Sequence, residues 1–96
     1  MRVLWSNEAL RDLRAIKEFI SNTSDHYAAI VVERILSAVE RIEYFPESGR
    51  IVPELNDANV REVLDGPYRI VYELRTGQAQ VLTVFRATRL FPMQGE

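Results

Sequence analysis

Arginine is the side chain with which this sequence has most to offer chemically. Eleven of the twelve basic residues are Arg, and Lys17 is the only lysine. A guanidinium stays charged and presents a planar fork of donors that suits carboxylates and phosphates. Between residues 60 and 92, Arg61, Arg69, Arg75, Arg86 and Arg89 face only Glu62, Asp65 and Glu73, a local balance of +2. Residues 1–47 instead hold six basic and eight acidic side chains. Arg61, Arg69, Arg86 and Arg89 are therefore the candidate site residues. Arg61 and Arg69 lie eight positions apart across one turn, a spacing that puts them on neighbouring strands. Their convergence is expected to make an anion site. Pairing with Glu62, Asp65, Glu73 or a carbonyl is the competing structural use of the same groups.

An anion site becomes a nuclease only with proton transfer. Cleaving RNA through its 2′-hydroxyl needs a base, an acid and charge stabilisation. The inventory for the first two is thin. His26 sits at a helix start, far in sequence from the arginine strands, and Lys17 reads as a surface charge on a helix. Tyr68 and Tyr72 read as core positions of a strand, which leaves Glu54 and Glu62 as possible bases. Cysteine is absent and histidine occurs once, so thiol nucleophiles, disulfides, zinc–thiolate sites and histidine clusters are excluded. No phosphate loop, dinucleotide fingerprint, nucleophile elbow or H-E-x-x-H motif is present. Neither metal nor cofactor is expected.

A net charge of −2 and a pI near 5.4 do not fit a free-standing nucleic-acid binder, whose affinity comes mainly from phosphate neutralisation. No apolar run is long enough to cross a membrane. Charge at Arg2 and Glu8 brackets a short apolar stretch unlike a secretory leader. The expectation is one cytoplasmic domain over residues 1–96.

The elements that must carry these residues follow from periodicity. Arg2–Trp5 is a short strand candidate. Ser6 is a natural N-cap, and Ala9, Leu13, Ile16 and Ile20 recur at helical steps over residues 7–20. Residues 21–25 are small and polar, a turn between helices. Over residues 26–45, Ala28, Val31, Ile35, Ala38, Ile42 and Phe45 form one apolar row, with Val32, Leu36 and Val39 beside it. Pro46 ends that helix. Residues 46–59 show no sustained period, whereas 60–64, 68–75 and 78–87 read as strands joined by turns at Asp65–Pro67 and Thr76–Gly77.

Helices followed by strands argue an α+β fold. An N-terminal strand and an α-helical hairpin are expected to pack on a small, mainly antiparallel sheet. The hairpin covers one face, so the other, carrying arginines and Val71, is expected to lie open. Under that expectation Arg69→Ala spares the fold. Leu10, Phe19, Val32, Leu36 and Val39 exceed what one stripe per helix requires, and are candidates for a surface that accepts a segment of another chain.

The chain resembles a known family in several places. These are Trp5-Ser6 with Ala9–Ile16, Phe45–Arg50, Val52–Glu54, Val60–Val63, Gly66–Tyr72, Val84–Arg86 and Arg89-Leu90. In that order and spacing they resemble ParE toxins, within the RelE/ParE superfamily of type II toxin–antitoxin systems. The resemblance implies a toxin neutralised by a ParD-like antitoxin. ParE members trap DNA gyrase on cleaved DNA, whereas RelE members cleave mRNA in the ribosomal A site. The nucleases carry lysines on the strand before the Tyr-Arg-hydrophobic-Val-Tyr strand. Aligned on Tyr68-Arg69, those positions are Val60 and Glu62 here. Arg69 and Arg89 match arginines that the nucleases share, while Arg86 stands where ParE sequences often carry histidine. The resemblance therefore implies a gyrase-binding toxin that does not hydrolyse and does not read nucleic-acid sequence. Its alternatives are a ribosome-dependent mRNA interferase built on Arg61, Arg69, Arg86 and Arg89, and an inactive or retargeted member that only binds antitoxin.

Overall fold

Backbone groups left unpaired at helix starts need partners, and serine supplies them twice. The computed structural model describes residues 1–93. Strand β1 (Arg2–Trp5) runs directly into helix α1 (Asn7–Ser21) through Ser6. The Ser6 hydroxyl accepts from the Ala9 N–H and donates to the Leu82 carbonyl, each at 3.0 Å. One side chain thus caps the helix and ties it to a strand far along the chain. Ser24 caps helix α2 (Asp25–Tyr44) in the same way, through the Tyr27 N–H. Phe45, expected to continue the buried row, is the C-cap and is exposed. Its backbone has already left the helix ahead of Pro46.

The remaining strands are β2 (Arg50–Ile51), β3 (Val60–Asp65), β4 (Tyr68–Arg75) and β5 (Gln78–Arg86). They form one sheet in the order β1-β5-β4-β3-β2. β1 lies parallel to β5, and the other neighbours are antiparallel. The α+β architecture expected from the sequence is the one observed. Strand β2 was not expected, because two residues are too few to show a period. Gly77, at φ 75°, makes the β4–β5 turn in a backbone region that side chains strain to enter.

The helices bury Ala9, Val31, Ile35 and Ala38 against Ile70, Val81 and Val84. Ile42 continues this layer onto Tyr72 and Ala79. The opposite face, expected to lie open, is covered by the chain itself. Val52, from the segment after β2, and Phe91, from the tail, join Val60, Val71 and Phe85 in a second buried cluster. That cover explains why the first five residues of β4 are buried in succession. A strand packed on both faces has no polar side to show.

Candidate functional site

Strand register decides which arginines can meet. Glu62 lies opposite Val71, Leu64 opposite Arg69, and Arg61 opposite Tyr72. Cross-strand partners share a face and neighbours along a strand alternate, so Arg61 and Arg69 point to opposite faces of the sheet. The expected convergence of Arg61 with Arg69 does not occur. Arg61 turns instead to the loop after α2, donating to the carbonyls of Glu47 (3.2 Å) and Gly49 (3.1 Å), and to the segment just before its own strand, through the Ala58 carbonyl (3.1 Å). Tyr72 secures the same loop, accepting from the Gly49 N–H at 3.1 Å and donating to the Pro46 carbonyl at 2.7 Å. Its hydroxyl pKa is raised by burial. A Cβ at Gly49 would lie 2.6 Å from that hydroxyl and 2.7 Å from the Glu62 carbonyl, so only glycine fits.

Arg69 occupies the covered face and is itself buried. Its Nε donates to Glu62 at 2.7 Å, and its two terminal nitrogens form a fork on Glu54 at 2.8 and 2.9 Å. The Glu62 side chain is wholly buried and also accepts from Arg50, which completes a chain of two cations and two anions. The guanidinium carbon sits 5.1 Å from the Phe85 ring centre and 5.2 Å from that of Phe91. These rings meet edge to face at 5.6 Å. The Arg69 hydrogen bonds hold the Glu54 carboxyl down at about 2, and those to Glu54 and then Glu62 raise the guanidinium's own pKa. Chemically this cluster is spent. Its fork is filled by carboxylates of the same chain, and burial leaves no approach for a phosphate. Sequence reasoning named Glu54 and Glu62 as possible bases, but both are the counter-ions of Arg69.

Arg86 and Arg89 lie elsewhere, at the end of β5 and in the turn after it, and both are exposed. Arg86 stacks over Tyr68, its guanidinium carbon 5.8 Å from the ring centre. The two arginines share the wall of a cavity of about 320 Å³ with Ile16 and Phe19 of α1. A second cavity of about 310 Å³ adjoins it, lined by Phe19, Tyr68 and Arg86 together with Tyr27 and Arg34 of α2. The four candidate arginines therefore occupy three places, and only Arg86 and Arg89 stand together.

The apolar candidates divide as well. Phe19 is 73% exposed and belongs to both cavities. Leu10 and Leu36 are exposed outside them, and Val32 is half-buried. Val39 is a core residue packed with Ile35 and Ala38, so it is not surface at all. Sequence reasoning missed Tyr27 and Arg34. Their spacing of seven, with Ile30 between, marks one stripe of α2 and was available as a signal. Among the described residues no group of three His, Asp or Glu side chains is arranged to hold a metal ion.

The family model described as the ParE toxin of the type II toxin–antitoxin system parDE matches residues 3–91. The chain belongs to the ParE toxin family. Toxin RelE2 of Caulobacter vibrioides is 32% identical over 90 residues, covering 93% of this chain and 98% of that protein. The putative toxin Y4kP of Sinorhizobium fredii is 33% identical over 91 residues, covering 95% and 93% respectively. Two solved structures share the fold. One is from the chromosomal ParDE toxin–antitoxin system of P. aeruginosa, with a TM-score of 0.74 at 21% identity over 90% of this chain and 95% of that one. The other is a YoeB/ParE toxin from Agrobacterium tumefaciens, with a TM-score of 0.61 at 18% identity over 90% and 98%. This ParE-family toxin thus has relatives named on both the ParE and RelE sides. No helix among its described residues is long and apolar enough to cross a membrane.

Proposed function

We propose that this toxin acts in the cytoplasm by binding DNA gyrase rather than by cutting RNA, and that a ParD-like antitoxin neutralises it. The observation that carries this reading is the state of Arg69. On the strand where a nuclease of this superfamily is expected to hold an arginine ready for phosphate, the guanidinium is clamped by Glu54 and Glu62. Phe85 and Phe91 close over it. Val60 and Glu62 stand where the resemblance expects lysines, and both are buried. A face filled by its own carboxylates and apolar side chains supports neither phosphate binding nor proton transfer.

Expression in growing bacteria tests the proposal. Growth should stop with filamentation and a DNA-damage response while mRNA stays intact. Purified toxin should block supercoiling by gyrase, and the cognate antitoxin should relieve the block. Transcript cleavage in a translating extract that lacks gyrase activity would establish the interferase reading in its place.

A further inference from the structure

We propose that the open edge of β1 binds a second copy of this chain, the two β1 strands pairing antiparallel about Leu4 so that two five-stranded sheets join edge to edge. The inference concerns self-association and is independent of what the toxin attacks. It comes from following the sheet's main-chain groups out to its edges.

The parallel ladder to β5 uses every second residue of β1. The Arg2 N–H donates to the Gly77 carbonyl at 3.5 Å and the Ser6 N–H to the Val81 carbonyl at 2.9 Å, with Leu4 opposite Gln80 between them. Arg2, Leu4 and Ser6 thus turn their main chain toward β5, and Val3 and Trp5 turn theirs away from it. No group among the described residues bonds to the outward N–H and C=O of Val3 and Trp5.

Elsewhere the edges are closed. Past the end of β1, helix α1 covers β5: Asp12 accepts from the Val84 N–H at 3.0 Å, and Ser6 donates to the Leu82 carbonyl at 3.0 Å. At the opposite edge β2 is only two residues long. Val52 donates inward to the Val60 carbonyl, so the next outward residue after Ile51 is Pro53, which has no N–H. Covering helices, very short strands and prolines are how a sheet edge is kept from pairing. Over residues 3–5, all apolar and half-buried, β1 carries none of these devices.

Self-complementarity selects the occupant. A two-fold axis at Leu4 sets Val3 against Trp5 of the other copy, and Trp5 against its Val3. Both members of each pair turn outward, so each pair exchanges both of its N–H···O bonds. Sliding the register by one residue would oppose outward groups with inward ones. Sliding it by two would run the strand into α1 or set Arg2 against Leu4. About Leu4 a β-branched residue meets an aromatic one twice, Leu4 meets itself, and no charge faces its like. Arg2 is exposed and forms no ion pair within 4 Å among the described residues. It lies opposite Ser6 of the other copy, just before that copy's exposed Glu8, so the charges complement. A contact confined to these residues falls well short of the roughly 1,000 Å² of a stable interface, so the pair forms and parts with concentration.

Sedimentation velocity of the full chain over a concentration series tests this, and should show a monomer–dimer equilibrium. Val3→Pro removes an outward donor from each copy and leaves the bonds between β1 and β5 in place. It is expected to raise the dissociation constant about tenfold. Leu36→Glu, on the exposed side of α2, is expected to associate like the parent. Circular dichroism checks that each variant keeps the fold. Residue-resolved amide exchange of the unmodified chain needs no variant. The Val3 and Trp5 amides should slow as concentration rises, while Leu4, already bonded to β5, stays unchanged. A chain that is monomeric at every concentration would overturn the proposal, as would a dimer that Val3→Pro leaves as tight as the parent's. Protection of Val3 and Trp5 that appears only when antitoxin is added would give the edge to an extended segment of that protein and end the second-copy reading.

Discussion

Two regions of this toxin use the same kind of side chain to opposite ends. On the covered face of the sheet, Arg69 is ringed by two carboxylates and two aromatic rings, and is buried. Beside the cavity between α1 and the end of β5, Arg86 and Arg89 lie in water near Phe19 and form no ion pair within 4 Å among the described residues, the Asp12 carboxylate on the same wall being taken by Thr83 and Val84. What separates them is not residue type but the supply of neighbours. A buried guanidinium is tolerable only when its charge is matched and its donors are used. An exposed one needs neither, and so is free for a partner. Arg69 is therefore an internal fastener, joining β4 to the loop before β3 and to the tail.

The strongest way to break this contrast is to remove the fastener. Arg69→Ala takes away the cation paired with Glu54 and leaves the fully buried Glu62 with Arg50 alone. Loss of one partner from a buried ion pair costs about 3–5 kcal/mol. The expectation drawn from sequence, that this variant keeps its fold, is replaced. A large drop in the denaturation midpoint should appear, with toxicity falling in step with the folded fraction. A variant as stable as the parent would mean that Arg69 contributes nothing to the fold.

Much of this architecture was legible in the sequence, and the reasons differ by element. Helical periods, with the Ser6 cap and the small polar turn at residues 21–25, fixed α1 and α2 to within a residue or two, because capping and amphipathicity are local. The turn at Thr76–Gly77 fixed the β4–β5 hairpin in the same way. The cover on the second face was not legible. It depends on Val52, in a segment without any period, meeting Phe91, 39 positions further along the chain. With that cover unseen, Arg69 looked exposed and Arg61 looked like its neighbour. The alternation of β3 was enough to separate Arg61 from Glu62, but only the observed register shows that Arg61 and Arg69 face apart. The two adjoining cavities join α1, α2 and the end of β5, three segments no local signal connects. Each contributed a named or nameable residue, yet their meeting is a tertiary fact.

A milder probe is acid. The Arg69 fork holds Glu54 at about 2 in the folded chain against an ordinary 4.5. A carboxylate lowered on folding contributes stability that is fully present above its unfolded pKa and is lost as pH falls toward the folded one. The covered face should therefore weaken between about pH 4.5 and pH 2. Thermal unfolding followed across that window should show a falling melting temperature, and Glu54→Gln should flatten the fall. Parallel curves for parent and variant would assign the acid sensitivity to other groups and weaken the case for Arg69 as a fastener.

The smallest effect is expected beside those cavities, and it sharpens the contrast most. Arg86→Gln together with Arg89→Gln removes two charges that form no ion pair within 4 Å among the described residues. Exposed substitutions of this kind usually stay within about 0.5 kcal/mol. Arg86 does lose its stacking over Tyr68, but an exposed cation–π contact is worth only about 0.5–1 kcal/mol. The melting temperature should thus move by no more than about 5 °C, in a double variant that removes as many guanidinium groups as Arg69→Ala and one more. A destabilisation comparable to that of Arg69→Ala would mean that Arg86 and Arg89 also hold the fold. Their exposure would then no longer mark them as reserved for another molecule.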